Sequence, residues 1–266
     1  MPLSSQQQQD ISERIRQILK LDSKIIEKRK DIINGDTSPF LTSLLGENRT
    51  LMVKVGQSLQ TTMGMSFYEQ TSQLLGEEAG YKVELQKKVL GFISKDVIGF
   101  LQKLNSINYS PNRIDELTEI RRLCVNSRND PDYGEFEYPD STVDVYITTP
   151  SGKEILIDIT TVKPNKKDFR ILKEKTLRWS AYRMSQNPKV DVEAYFAIPY
   201  NPESLDPKST DYSRFSNFYD RRDILVGNEL WQKVSANQCN IIDLIEIFQD
   251  LGENMKSDID KAFQNI

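Results

Sequence analysis

The chain of 266 residues contains no histidine and only two cysteines, Cys124 and Cys239. Without histidine, the Ser-His-Asp and Cys-His forms of nucleophilic catalysis fall away as usually built, as do histidine-ligated zinc sites. Nucleases whose base or nucleophile is a histidine are excluded too. Two cysteines make no disulfide framework and no zinc site, and they suit a reducing compartment, so a cytoplasmic protein is expected. No apolar run approaches a membrane span. The first residues, MPLSSQQQQD, lack the basic and apolar regions of a signal peptide, and residues 1–9 read as a disordered leader. Excess positive charge is missing as well: 35 Lys and Arg stand against 39 Asp and Glu, a net charge of −4. That argues against coating nucleic acid by charge alone but leaves room for a locally basic cleft. An enzyme built from this chain must work with carboxylates, lysine, hydroxyls or a hard metal such as Mg²⁺.

What is present divides into a helical half and a mixed half. Residues 9–33 repeat apolar positions at Ile11, Ile15, Ile18, Leu19, Ile25 and Ile26, which is helical spacing. Residues 48–60, 65–77, 84–105 and 112–126 read as further helices, with AGYKV as a turn before the third of these. After a loop rich in Asp, Pro and Gly come TVDVYITT and KEILIDITT, two alternating runs joined by PSG, a hairpin signature. A long helix follows from Asn165, a plausible N-cap; then a strand in VDVEAYFAIPY, a polar loop over 201–220, a short strand in DILVG and a helix in NELWQKVS. The C-terminal stretch reads as helix, broken near Gly252. The order strand, strand, helix, strand, strand predicts an α/β fold: a central mixed β-sheet flanked by helices, with a helical N-terminal half. The long helix would be a right-handed crossover. One domain over 10–266 is expected, with a mostly helical part at 10–130, the sheet at 131–235 and a C-terminal helix at 236–266.

Alternation along the hairpin puts Asp144 on one face with Tyr146, and Glu154, Leu156, Asp158 and Thr160 on one face of the next strand. Asp144 and Asp158 then fall near cross-strand positions inside apolar strands. Two carboxylates buried together are costly without a cation, and oxygen-only ligands favour Mg²⁺ or Mn²⁺. The competing reading is a solvated strand face, or pairing with nearby Lys and Arg.

The stretch VDVYITTPSGKEILIDITTVKPN resembles the PD-(D/E)xK nuclease core, and more narrowly type II restriction endonucleases of the TdeIII kind. Five further segments follow that pattern: SPF at 38–40, GMSFYEQTSQLLGEEAGYKV at 64–83, TVKPNKKDFRILKEKTLRWSAYR at 161–183, AYFAIPYNP at 194–202 and DILVGNELWQKV at 223–234. The resemblance implies Mg²⁺-dependent cleavage of double-stranded DNA at a short near-palindromic site, GGNCC-like, by a homodimer in a prokaryotic cytoplasm, with a cognate DNA methyltransferase as counterpart. It makes Asp144 and Asp158 the metal-binding acids, with Pro139 and Asp140 as a competing match for the first. It suggests Glu69 as a third acid, whose other reading is a surface glutamate. Thr160 departs from the pattern, which wants lysine there to stabilise charge on phosphate. Three readings stand: Lys163 swings in; Lys163 and Asn165 contact DNA backbone beside a weaker site; or Thr160 is a loss-of-function change. Beyond the acids, Lys166, Lys167 and Arg170 at the start of the long helix, and Arg121 and Arg122 with Arg128, are candidate DNA contacts, with solvated helix faces as the alternative. Trp179 and Trp231 read as core or interface aromatics.

Overall fold

The structure is a computed structural model, and it describes residues 3–33, 39–89, 93–104, 110–126, 141–160 and 163–264. Pro139, Asp140 and Arg128 lie outside the described residues. The chain forms two compact units, one spanning Ser72–Ile241 and the other Pro2–Thr71 with Ile242–Ile266.

The second unit is helical: α1 (Ser5–Leu19), α2 (Leu21–Ile33), α3 (Pro39–Leu45), α4 (Glu47–Thr62) and nearly all of α10 (Ile241–Gln264). The glutamine run is not a disordered leader but the opening of α1. Ser4 caps the helix by accepting from the Gln7 N–H, and the Gln7 side chain accepts from the Ser4 N–H in return. The single helix expected over 9–33 is two, because Lys20 turns into the left-handed region at φ 48° and ends α1. Ile11, Ile15, Leu51 and Val55 are buried in this unit, and Phe67 meets Phe248 edge to face at 5.5 Å. Gly252 does not interrupt α10. Among the described residues no helix is long and apolar enough to cross a membrane.

The first unit holds most of α5 (Tyr68–Glu78) and a five-stranded sheet in sequence order: β1 (Lys82–Lys88), β2 (Thr142–Thr148), β3 (Glu154–Ile159), β4 (Val192–Ile198) and β5 (Ile224–Val226). The first three strands are antiparallel and the last two add in parallel. The remaining helices are α6 (Lys95–Leu104), α7 (Arg113–Asn126), the crossover α8 (Lys166–Gln186) and α9 (Asn228–Val234). The mixed sheet with flanking helices matches the expected fold class. The departure is β1, where a turn and then a helix from residue 84 were expected. It is the sheet's edge, and its outer positions carry Lys82, Glu84 and Lys88 instead of apolar residues, so alternation is faint. The hairpin turn is the one PSG signals: Gly152 sits at φ 83° and donates to the Thr149 carbonyl at 2.9 Å, a three-residue loop with glycine in the left-handed position.

Register fixes the two faces of the sheet. Tyr146, Leu156 and Ala194 align across β2, β3 and β4 and belong to one core with Leu177, Trp179, Ala181 and Tyr182 of α8. The opposite parity, Val145, Ile147, Ile155 and Ile157, is buried on the other face. There α5 comes so near β1 that a Cβ on Gly76 would sit 2.6 Å from Val83 Cγ2, so only glycine fits. A buried charge network ties α7 and α8 to the segment before β5: Asp223 pairs with Arg113 at 2.9 Å and Lys173 at 2.6 Å, and Lys173 lies 2.8 Å from Glu116.

Candidate active site

Asp158 lies on the α8 face of β3, at the level of Phe196 on β4, and is 6% exposed. Asp144 lies one step beyond the last β2–β3 pair, Val145↔Ile157, which places it across from Asp158. At this level the sheet forks. β2 stays paired with β1 as far as Thr142, and β3 stays paired with β4 through Ile159, but β2 and β3 no longer pair with each other. The Ile159 N–H donates to Asp144 Oδ2 at 2.8 Å instead of to a strand carbonyl. On the other side of Asp144, Gln86 takes φ 49° and drops out of the β1–β2 register, and its side-chain amide donates to Asp144 Oδ1 at 3.2 Å. A positive φ in a non-glycine residue mid-strand is a strained arrangement, and here it faces the acid. Asp144 is therefore held by a strand on each side.

The second acid is held differently. Lys175 Nζ of α8 lies 2.5 Å from Asp158 Oδ2. The pair is close by distance but lacks hydrogen-bond alignment, and Oδ2 is buried with no hydrogen-bond partner. Lys175 also lies 5.0 Å from the centre of the Trp179 ring, a cation–π contact. Lys175 was not among the expected site residues, but a signal for it exists in the sequence. Leu172, Lys175, Trp179 and Arg183 repeat at three and four residues along the face that packs on the sheet, so a lysine stands within an otherwise core-facing stripe.

The fork gives two carboxylates on one face, hard oxygen donors of the kind Mg²⁺ and Mn²⁺ take. The buried Asp158 Oδ2 already attracts one cation, the Lys175 ammonium at 2.5 Å, and is a hard oxygen donor of the kind such a metal takes. Among the described residues no third acidic, cysteine or histidine side chain completes a group of three. Two are enough for Mg²⁺, which keeps waters and takes substrate phosphate oxygens. Glu69 belongs to the other unit.

The structure places the remaining candidates as follows. Thr160 follows β3 with its N–H still donating to the Ala197 carbonyl at 2.9 Å, so bonding to β4 continues one residue past Ile159. Lys163 is exposed beyond it. Asn165 caps α8: its Oδ1 accepts from the Lys167 and Asp168 N–H groups at 2.9 and 3.2 Å, which occupies donors a phosphate would otherwise take. Lys166 and Arg170 sit over the Phe218 ring at 4.8 and 4.6 Å, and Lys167 is exposed beside them. Arg121 has a structural engagement, donating to the Pro188 and Val190 carbonyls. Arg122 is exposed and pairs with Glu119 at 2.6 Å. Both tryptophans are buried, and Trp231 donates to the Pro199 carbonyl at 2.9 Å.

The sequence matches, over residues 3–252, the family described as "Type II restriction endonuclease, HinfI". It is 27% identical over 207 residues to the type II restriction enzyme MjaII of Methanocaldococcus jannaschii, which covers 73% of this chain and 53% of that protein. The chain thus spans about half the length of that relative. Against the type II restriction enzyme HgiCII of Herpetosiphon aurantiacus it is 24% identical over 255 residues, 93% of this chain and 88% of that one. HgiEI of the same organism is 24% identical over 248 residues, 90% of this chain and 84% of that enzyme.

Proposed function

The chain belongs to the HinfI family of type II restriction endonucleases, and on that premise we propose that it hydrolyses phosphodiester bonds of double-stranded DNA at a short near-palindromic site, through a PD-(D/E)xK centre of the TdeIII kind. The observation that carries the reading is the fork between β2 and β3, with Asp144 and Asp158 facing each other on one side of the sheet. Asp144 and Asp158 are the residues that would hold Mg²⁺, with Mn²⁺ as a substitute. When bound, the ion supplies Lewis-acid polarisation of the phosphate and lowers the pKa of water. Gln86 and the Ile159 N–H fix the direction of Asp144. The exposed Lys166 and Lys167, with Arg170, supply cations for the DNA backbone at the end of α8 nearest the end of β3. A near-palindromic target, GGNCC-like in this reading, asks for a two-fold protein, so the working form is a homodimer. It would act in a prokaryotic cytoplasm, with a methyltransferase protecting the host sites.

The test is cleavage of plasmid DNA rich in GGNCC sites with Mg²⁺ or Mn²⁺. The unaltered chain is expected to cut. Asp144→Ala and Asp158→Ala should each lose about 10³-fold in rate or more while remaining folded. Unimpaired cutting by Asp144→Ala would sink the site assignment. Tight DNA binding by the unaltered chain without cutting would favour a nuclease fold that only binds.

A further inference from the structure

The resemblance leaves one role without an occupant. At Thr160, two residues past the second acid, the pattern wants an ammonium, and the chain offers a hydroxyl. We propose that Lys175, carried by α8 and not by the strand, fills that role. The inference rests on the nuclease reading above.

Position is the first argument. The crossover α8 runs back along β3, and the two elements are pinned to each other at a second point: Arg183 reaches Glu154 with both Nε and Nη2, each at 2.7 Å. From Glu154 to Asp158 is four residues of strand, about 13 Å. From Arg183 back to Lys175 is eight residues of helix, about 12 Å. The two rises match, so the Arg183 clamp sets the helix in the register that delivers Lys175 to Asp158. Nothing in the loop after β3 has to move for an ammonium to be at the acid.

Chemistry is the second. A largely buried cation needs an acid beside it, and the acid beside Lys175 is Asp158. Lys175 meets Asp158 at one point, with Nζ 2.5 Å from Oδ2, where Arg183 grips both oxygens of Glu154. The Trp179 ring backs the ammonium without consuming a donor. Lys163, the sequence alternative, is exposed beyond the strand, while Thr160 is still held in the β3–β4 ladder by Ala197. In the hydrolysis, water oxygen bonds to phosphorus and the bond from phosphorus to the departing deoxyribose oxygen breaks. That oxygen keeps the electron pair and gains a proton, matching the one the water loses. Lys175 stays an ammonium throughout. It orients the water and donates to a non-bridging phosphate oxygen, where charge accumulates.

The experiment compares the unaltered chain with Lys175→Met, Lys175→Arg, Thr160→Lys and the double variant Thr160→Lys/Lys175→Met. Each is measured for single-turnover cleavage at saturating DNA with Mg²⁺, for metal-free DNA binding against salt, and for its unfolding midpoint. The expected result is a fall of about 10²-fold or more in rate for Lys175→Met. Its metal-free binding should lose about one unit of salt slope, the signature of one phosphate contact. Lys175→Arg should keep that slope, and the double variant should regain at least about tenfold in rate by returning the ammonium to the strand. A cation that only neutralises Asp158 would move the unfolding midpoint and leave slope and rate per folded molecule unchanged, and that result overturns the proposal. Cutting that appears only with Thr160→Lys overturns it too, because the helix lysine would then not be filling the role. If neither the unaltered chain nor Thr160→Lys cuts any DNA, the nuclease reading fails and takes this inference with it.

Discussion

The interface between β3 and α8 contains two acid–cation pairs built from the same strand and the same helix, and they differ. At the Glu154 end, Arg183 meets both carboxylate oxygens at 2.7 Å and Tyr146 adds a hydrogen bond. Burial works against the charge of Glu154, but Arg183 and Tyr146 outweigh it and hold the carboxyl below its usual range. At the Asp158 end, a single lysine approaches one oxygen without alignment, and that oxygen is buried with no hydrogen bond. One end is a two-point pair and the other a one-point pair at 2.5 Å, within four residues of strand. A two-point pair fixes position; a one-point pair, here at the fork of the sheet, constrains its acid and its ammonium less.

The comparison breaks most readily at its closed end. Arg183→Met leaves the Glu154 carboxylate, with its side chain 12% exposed, facing Tyr146 and no cation. A loss of about 2–3 kcal/mol in urea unfolding is expected, less than for a fully buried pair because Arg183 is partly wetted. If α8 takes its register from this clamp, DNA cleavage per folded molecule should also fall, because Lys175 would drift from Asp158. Stability that drops by less than about 0.5 kcal/mol would mean the clamp is a surface pair and the register argument is wrong.

The other face of the sheet offers a second closed case, and it carries a pH signature. Burial penalises the Glu193 carboxylate, but Lys153, Lys233 and Tyr195 outweigh that and hold it down at about 2, against an ordinary value of 4.5. Its folded pKa is depressed, so its contribution is present in full above the unfolded value. That contribution is lost as the pH falls from about 4.5 towards 2. Because the side chain is about a quarter exposed, about 1 kcal/mol is expected of it. Glu193→Gln should flatten the stability profile in that window and lower stability at neutral pH by about that amount. An unchanged acid limb would show that Lys153 and Lys233 do not grip Glu193 in solution.

Much of this was legible in the sequence, and what was not has physical reasons. The hairpin, the crossover helix and its Asn165 cap follow from alternation, a glycine turn and a capping residue, all local signals. The facing of Asp144 and Asp158 follows from period two, once the turn is placed. β1 escaped because an edge strand with charged outer positions hardly alternates. The fork escaped because it depends on Gln86 entering the left-handed region of the backbone map, which no propensity of glutamine announces. Lys175 escaped because helix and strand are read separately, and only the matched rise of α8 and β3 brings residues 158 and 175 together. The carbonyl partners of Arg121, at 188 and 190, escaped because they lie some seventy residues away in the chain.

The smallest expected effect is the sharpest test of the open end. Asp158→Asn removes a charge that the fold buries and pairs at one point with Lys175. In a closed pair, loss of the acid would leave an uncompensated cation and cost several kcal/mol. Here Lys175 is 20% exposed and rests against Trp179, so its ammonium can turn towards solvent. The desolvation cost of the carboxylate disappears at the same time. The metal-free Asp158→Asn protein is therefore expected to unfold within about 0.5 kcal/mol of the unaltered chain, or to be slightly more stable, as measured by urea titration in the presence of a chelator. The Arg183→Met protein, unfolded under the same conditions, sets the scale. A loss at Asp158 as large as the loss at Arg183 would make both ends structural, and the unsatisfied oxygen would then have to be explained by packing and not by a ligand.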